Sequence, residues 1–437
     1  MSREMKHSGI EWIGEIPKGW KISLLSSLFV EHKQKNKELT ENNLLSLSYG
    51  SIVRKDINTN EGLLPQSFDS YNIIENGDIV FRLTDLQNDK RSLRTGLCKE
   101  RGIITSAYTT LRKKSKSHSS GFFHYLFHTY DICKVFYGLG DGVRQGMNYA
   151  DLRKLLVIYP TLSEQQKIAD YLDKVCGEID ELIALQEKMI EELRAYKQSV
   201  ITEAVTKGLN PNVPMKDSGI DWIGEIPEGW EVCRVKSVIE EGKEGIKIGP
   251  FGSALTNKVE DGGEYKIYGQ WNIVGKDFTK GKNYITKYTF EELLSYKIAS
   301  GDILVSLMGT VGKCVVIPDN IQEGIMDSHV IKIRLNDRIE PSFFEYIYDK
   351  DNSLFVFEQI QRMKKGSIMD GLNSSVVKNL FLILPPNKEQ QSIVIYLDEK
   401  CSEIDSLIAI KQEKIEELKD YKKSIIYEYV TGKKEVI

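Results

Sequence analysis

Two stretches of the chain repeat apolar side chains in alternating steps of four and three residues. In residues 164–206 these are Leu172, Cys176, Ile179, Ile183, Ile190 and Leu193. In residues 389–431 they are Leu397, Cys401, Ile404, Ile408, Ile415 and Leu418. This spacing lines one face of an α-helix and matches a coiled-coil seam. Neither stretch contains Pro, and Gly177 is the lone Gly, so each predicts one helix of about 65 Å at ~1.5 Å per residue. The seam carries a polar residue at equivalent places, Gln186 and Lys411. Such a residue fixes register at some cost in stability. Antiparallel packing of the two helices is therefore expected, with Leu172, Ile179, Gln186, Leu193, Leu397, Ile404, Lys411 and Leu418 as pairing positions.

The two helices are copies. Residues 164–206 align without gaps on 389–431 with 25 identities in 43 positions, including Glu164, Gln165 and Gln166 with Glu389, Gln390 and Gln391. A second duplication precedes each globular stretch: residues 7–20 recur at 217–230 with 11 of 14 identical. Trp12, Pro17, Gly19 and Trp20 thus reappear as Trp222, Pro227, Gly229 and Trp230. Two large aromatics with a Pro and a Gly predict a packed turn leading into a strand.

The globular stretches have diverged but keep a skeleton. Gly77 and Asp78 match Gly301 and Asp302; Phe122 and Tyr125 match Phe343 and Tyr346; Asn148, Ile158 and Pro160 match Asn373, Ile383 and Pro385. Short apolar runs at 78–82, 103–111, 303–308 and 329–335 predict strands, and 122–137 and 343–363 predict helices. The expected fold class is α+β, with two similar mixed α/β domains separated by two long helices packed as an antiparallel coiled coil. The domain reading is 1–160, 161–210, 211–388 and 389–437, the second and fourth being the helices.

The net charge of −4 is an average over unlike parts. Residues 21–160 hold 20 Lys and Arg against 14 Asp and Glu, whereas residues 231–388 balance at 21 each. Both helical segments are acidic. A basic first domain joined to an acidic rod points to a polyanion on one side and protein on the other. No apolar run nears the ~20 residues needed to span a bilayer. The polar start of the chain has no signal-peptide core, and the six cysteines lack zinc spacing, so a cytoplasmic location is expected.

Catalytic patterns are weak. Gly269 to Lys276 has one residue too many for a phosphate loop, and Asp277 stands where Ser or Thr is needed. Leu384, Pro385, Pro386 and Asn387 lack the amide and aromatic of an amino-methyltransferase tetrad. Glu264 and Lys266 fit half of a nuclease motif without a suitably spaced upstream acid. His118, His124 and His128 lie close in sequence without an acidic metal partner, and core or surface roles are the simpler reading. No catalytic or metal site is expected.

The order of parts carries a resemblance. A tryptophan motif, a variable domain and a helix opening on Glu-Gln-Gln after Pro160, all repeated, resembles the specificity subunit of type I restriction-modification systems. Gly142, Arg144, Gln145 and Gly146, leading through Pro160 to Glu164, resemble that family's junction into its first conserved helix. Residues 248–253 resemble a common opening of its second recognition domain, and residues 201–208 match the region that influences spacer length. The resemblance implies a non-enzymatic DNA-recognition subunit, with each domain reading one half of an asymmetric bipartite target in double-stranded DNA. It further implies docking of two methyltransferase subunits on the helices and, through them, motor-nuclease subunits, with no membrane. The chain itself would bind no cofactor; S-adenosylmethionine, ATP and magnesium would be used by partner subunits.

Residues that read DNA should lie in diverged loops, because a shared skeleton cannot encode a difference. In the first domain these are Arg82, Gln87, Asn88, Lys90, Arg91 and Arg94 after the Gly77–Asp78 strand, with Arg144 and Gln145 between glycines. In the second they are Ser253, Lys258, Gln270, Asn272, Arg362, Lys364 and Lys365. Arg and Lys suit guanine edges or phosphate, and Gln and Asn suit adenine. Two other readings compete. A duplicated scaffold binding protein would show no DNA affinity, and a cryptic nuclease or methyltransferase would act on DNA without partners.

Overall fold

The computed structural model describes residues 3–58, 67–84, 93–138, 146–250, 252–255, 258–308, 310–364 and 372–436. The chain divides into two compact units, Met1–Glu187 with Glu413–Ile437, and Lys188–Gln412. Each takes half of each long helix, so each unit is completed by the other repeat.

The long helices run unbroken over Leu162–Lys207 and Asn387–Val430, passing through Gly177. In the first unit Tyr171 meets Tyr429 at 4.6 Å between ring centroids, and Asp180 accepts from Lys422 at 2.6 Å, which sets the helices antiparallel. In the second unit Lys197 binds Asp405 in the reciprocal arrangement at 2.6 Å. The seam is buried as its spacing predicts: Leu172, Cys176, Ile179, Ile190, Leu397, Cys401, Ile404, Ile408 and Ile415 are all core residues. Leu193, Leu418, Gln186 and Lys411 are half-buried on it.

The first unit holds a four-stranded antiparallel sheet in the order Phe29–Glu31, Thr109–Lys113, Ile79–Phe81, Thr95–Leu97. The second repeats it as Ile246–Ile248, Val330–Ile333, Ile303–Ser306, Cys314–Val316. In each unit the strand after the tryptophan motif pairs antiparallel with the strand before the long helix: Lys21–Leu24 with Leu156–Tyr159, and Glu231–Arg234 with Phe381–Leu384. Strands such as Ile79–Phe81 and Ile303–Ser306 are buried at every position, which is why they read as continuous apolar runs. Helix Ser120–Ile132 lies against the first sheet, its Phe123 and Phe127 touching Phe29.

The units differ in what is added. The first carries a hairpin, Leu45–Ser48 with Ser51–Arg54, and a pair, Asn72–Ile74 with Gly102–Ile104. The second carries a mixed four-stranded sheet of Glu260–Asp261, Asn283–Ile285, Tyr265–Tyr268 and Gly324–Met326.

The helix expected over 122–137 ends at Ile132, and Lys134 takes a positive φ of 60° before a 3-10 turn at Val135–Gly138. Two further sequence expectations need correction. The run 103–111 is two strands, Gly102–Ile104 and Thr109–Lys113, parted by a turn in which the Tyr108 N–H donates to Thr105. The helix expected over 343–363 is two, Pro341–Tyr348 and Leu354–Lys364. Asp349 breaks it: the residue is extended, and its buried carboxylate accepts from the backbone N–H groups of Asp351 and Cys314. A side chain that bonds to nearby backbone competes with the helical ladder.

Candidate nucleic-acid interface

Each unit is joined to its long helix by the same polar contacts. The Trp20 indole N–H donates to the Glu164 carboxylate at 3.2 Å, and Trp230 to Glu389 at 2.9 Å. Next along the helix, Gln165 and Gln390 are 1% and 0% exposed, so every polar atom they bury needs a partner. Gln165 accepts from the Ser119 N–H and donates to the Pro160 carbonyl. Gln390 accepts from the Glu340 N–H and donates to the carbonyls of Pro385 and Arg338. Ser119 and Glu340 are the N-caps of the helices carrying Phe122 and Phe343. One turn further, Tyr125 donates to Asp173 at 2.7 Å and Tyr346 to Asp398 at 2.6 Å. The duplicated Trp, Glu, Gln and Asp residues are therefore parts of one joint.

A second repeated contact sets the Gly-Asp turn that leads into strands Ile79–Phe81 and Ile303–Ser306. Asp78 and Asp302 are each 2% exposed, and each accepts a two-pronged bond from an arginine, Arg112 and Arg334. The carboxylates hold these guanidinium groups above their ordinary pKa. Paired Arg and carboxylate planes fix the start of a central strand in each four-stranded antiparallel sheet.

The sequence-predicted contact residues are scattered in character. Gln87, Asn88, Lys90, Arg91, Arg144, Gln145 and Lys365 lie outside the described residues, as do the side chains of Ser253 and Lys364. Arg82 is half-buried at the end of strand Ile79–Phe81. Arg94 is corrected as a surface residue: it is 0% exposed, donating to the Thr84 carbonyl at 2.7 Å and lying beside Tyr137. Asn272 is likewise buried at 0% exposure, donating to the carbonyls of Asp277 and Lys280 and accepting from the Gly269 N–H. Both hold loops together from within.

Lys258 is partly exposed and paired with Glu292 at 2.6 Å. Gln270 reaches Thr310 at 2.7 Å, and Arg362 is exposed with its guanidinium 5.6 Å from the Trp222 ring. Lys258, Gln270 and Arg362 all belong to the second unit and remain at its surface.

The alternative chemistries find no support in these positions. Lys266 is 2% exposed, with its ammonium donating to the carbonyls of Phe278 and Thr279, so it braces a loop. Among the described residues no group of three or more His, Cys, Asp or Glu side chains is placed to hold a metal ion. His124 and His128 sit one helical turn apart, with centroids 6.1 Å apart and both Nδ1 atoms buried without a hydrogen-bond partner. Burial, reinforced at His124 by His128 and at His128 by Lys422, pushes them down to about 3 and about 4. No helix among the described residues is long and apolar enough to cross a membrane.

Sequence reasoning missed the joint at Glu164 and Gln165, although its signal was present. The repeated Glu and first Gln after the Pro are the ones that take buried partners; the second repeated Gln, Gln166 and Gln391, is exposed.

The chain is similar to known proteins in sequence and in fold. The chain is 27% identical over 346 residues to the type I restriction enzyme MjaVIII specificity subunit of Methanocaldococcus jannaschii, covering 76% of this chain and 75% of that one. It is 22% identical over 320 residues to the type I restriction enzyme EcoBI specificity subunit of Escherichia coli, covering 71% and 65%. A solved structure concerned with complex assembly and conformational transition of the type I R-M system superposes with a TM-score of 0.68 at 16% identity, over 95% of this chain and 98% of that one. The family described as the type I restriction modification DNA specificity domain matches residues 17–195 and again 227–420. Those two matches take in both tryptophan-to-helix joints and most of the chain, which therefore belongs to the type I restriction modification DNA specificity family.

Proposed function

We propose that this chain is the DNA sequence-specificity subunit of a type I restriction-modification complex. Each unit reads one half of an asymmetric, bipartite target in double-stranded DNA, and the long helices dock two methyltransferase subunits. Motor-nuclease subunits join through these. S-adenosylmethionine, ATP and magnesium are used by the partner subunits, and this chain contributes recognition and spacing.

The observation that carries the reading is the combination of an identical frame with unlike additions. The Trp–Glu, buried Gln and Asp–Arg contacts occur twice. On that frame one unit builds a hairpin and the other a mixed sheet. The frame repeats because its task repeats, and the additions differ because two unlike DNA words must be read.

The helices support twofold docking. Leu182 and Leu185 of the first are exposed at 47% and 51%, and their counterparts Leu407 and Ile410 at 48% and 60%. Tyr196 and Tyr421 are exposed at 59% and 56%. Matched apolar side chains left in solvent on both copies fit two identical partner surfaces.

The test is binding of the complex with its methyltransferase subunits to duplex DNA across a salt series. Recognition of DNA predicts affinity falling by ~0.9 log units per log unit of salt for each phosphate neutralised. A scaffold that binds protein alone would show no such affinity, and DNA cleavage or methylation by the purified chain without partners would replace this reading by an enzymatic one.

A further inference from the structure

The hairpin of the first unit closes through Tyr49 and Gly50, which connect the directly paired Ser48 and Ser51. Both turn residues have positive φ, 45° at Tyr49 and 84° at Gly50. Two-residue turns of this kind favour Asn, Asp or Gly at the first position, because an L side chain is disfavoured there. Tyr49 is moreover 76% exposed, so packing within the unit does not repay its conformation. An exposed aromatic in a left-handed backbone adds little to folding.

The hairpin beneath it is firmly seated. Leu45 and Leu47 are buried, and Gly96 on the adjoining strand leaves the space they need: a Cβ there would lie 2.6 Å from Leu47. Gly50 rests against Leu93, whose Cβ would be 3.0 Å from an added Cβ. Arg54 Nε lies 2.8 and 2.9 Å from the two carboxylate oxygens of Glu100, and its Nη2 donates to the same group. The outward face is made of Ser46, Ser48, Ser51 and Val53, all small. A rigid two-stranded ribbon with a smooth outer face and an aromatic tip has the dimensions of an element that enters a DNA groove.

We infer that Tyr49 is a specificity-determining residue of the first half-site, where the hairpin tip places its ring against a base. The inference rests on the function proposed above. The second unit has a mixed sheet in place of this ribbon, so the contact belongs to one half of the target only.

The experiment uses the complex with the cognate methyltransferase subunits. Its motif is first mapped through methylated adenines in a methylation-free host, and the half read by residues 21–160 is identified by domain exchange. Binding is then measured to duplexes with the full motif, or with either half scrambled. Tyr49→Asn and Tyr49→Gly both suit the left-handed turn, and Tyr49→Phe retains the ring. The Asn and Gly variants should bind the full motif roughly tenfold or more weakly, the scale of one lost base-edge contact in the groove. They should melt at or above the wild-type temperature, and Tyr49→Phe should bind as wild type does. On the duplex with a scrambled first half the deficit should vanish. Unchanged binding by the Asn and Gly variants overturns the inference. So does an equal loss on the scrambled duplex, or a lowered melting temperature, which would make the ring a structural prop. A wild-type complex with no split motif would instead refute the proposed function.

Discussion

Trp230 donates its indole N–H to the carboxylate of Glu389 at 2.9 Å, across 159 positions of sequence. Trp230 is 1% exposed, so the bond ties a buried donor to the first turn of the long helix. Gly208, with φ of 78°, closes over the same indole at the end of the other long helix. The tryptophan motif is thus a socket for the helices. Trp230→Phe removes the donor and leaves a gap, and the second unit should lose about 2–4 kcal/mol, checked by denaturant unfolding. Glu389→Gln keeps an acceptor and should cost about 1 kcal/mol.

Gln186 and Lys411 occupy the half-buried polar places of an otherwise apolar seam. Replacing both with Leu should raise the melting temperature of the rod and relax its pairing, so that alternative assemblies appear in native mass spectrometry. A double-Leu protein that remains uniquely assembled would remove the register role.

Leu185 and Ile410 are equivalent exposed positions on the two helices. Leu185→Glu alone should reduce the stoichiometry to one methyltransferase subunit per chain, and the double Leu185→Glu, Ile410→Glu protein should bind none. Both variants should keep wild-type stability, because neither side chain is in the core. Analytical ultracentrifugation of the mixed subunits reads the outcome directly.

Acid should act first on the first unit. His124 and His128 have ordinary values of 6.5, and burial lowers them to about 3 and about 4 in the fold. Below pH 6.5 the unfolded chain takes up protons that the folded chain refuses, so stability falls until the folded histidines themselves protonate. The decline should approach roughly 1 kcal/mol per histidine per pH unit. In the second unit the equivalent positions are Glu345 on the helix and Asp349 just past its end, and burial raises Asp349. A folded carboxyl that protonates early gains relative stability as pH falls, the opposite sign. Hydrogen exchange at pH 7 and pH 5, corrected for intrinsic rate, should show residues 1–187 opening selectively. The double His124→Gln, His128→Gln protein should lose that selectivity; parallel behaviour of the two proteins would contradict the assignment.

The rod and the frame were legible because their signals are periodic or duplicated. A seam from Leu172 to Leu193 fixes a buried face whatever surrounds it, and the repeated Trp20 and Trp230, like Gln165 and Gln390, meet equivalent partners. Individual contact residues were not legible in this way. Arg94 and Asn272 have the residue types that read DNA, yet both are buried and satisfied by carbonyl groups of their own loops. Residue type states what a side chain can bond, and only the path of the chain decides whether water, DNA or a neighbouring carbonyl supplies the partner. Tyr49 is the converse case: in sequence it carries no basic or amide signature, and only the fold places it exposed at the turn between Ser48 and Ser51.

The central claim is that two diverged units on one frame each read their own half of a split target. Exchange of residues 21–160 for the equivalent domain of another family member, in the complex with the methyltransferase subunits, tests it most directly. The mapped methylation motif should change in one half while the other half and the spacer stay as they were. A contiguous motif, or a change in both halves, would contradict the account.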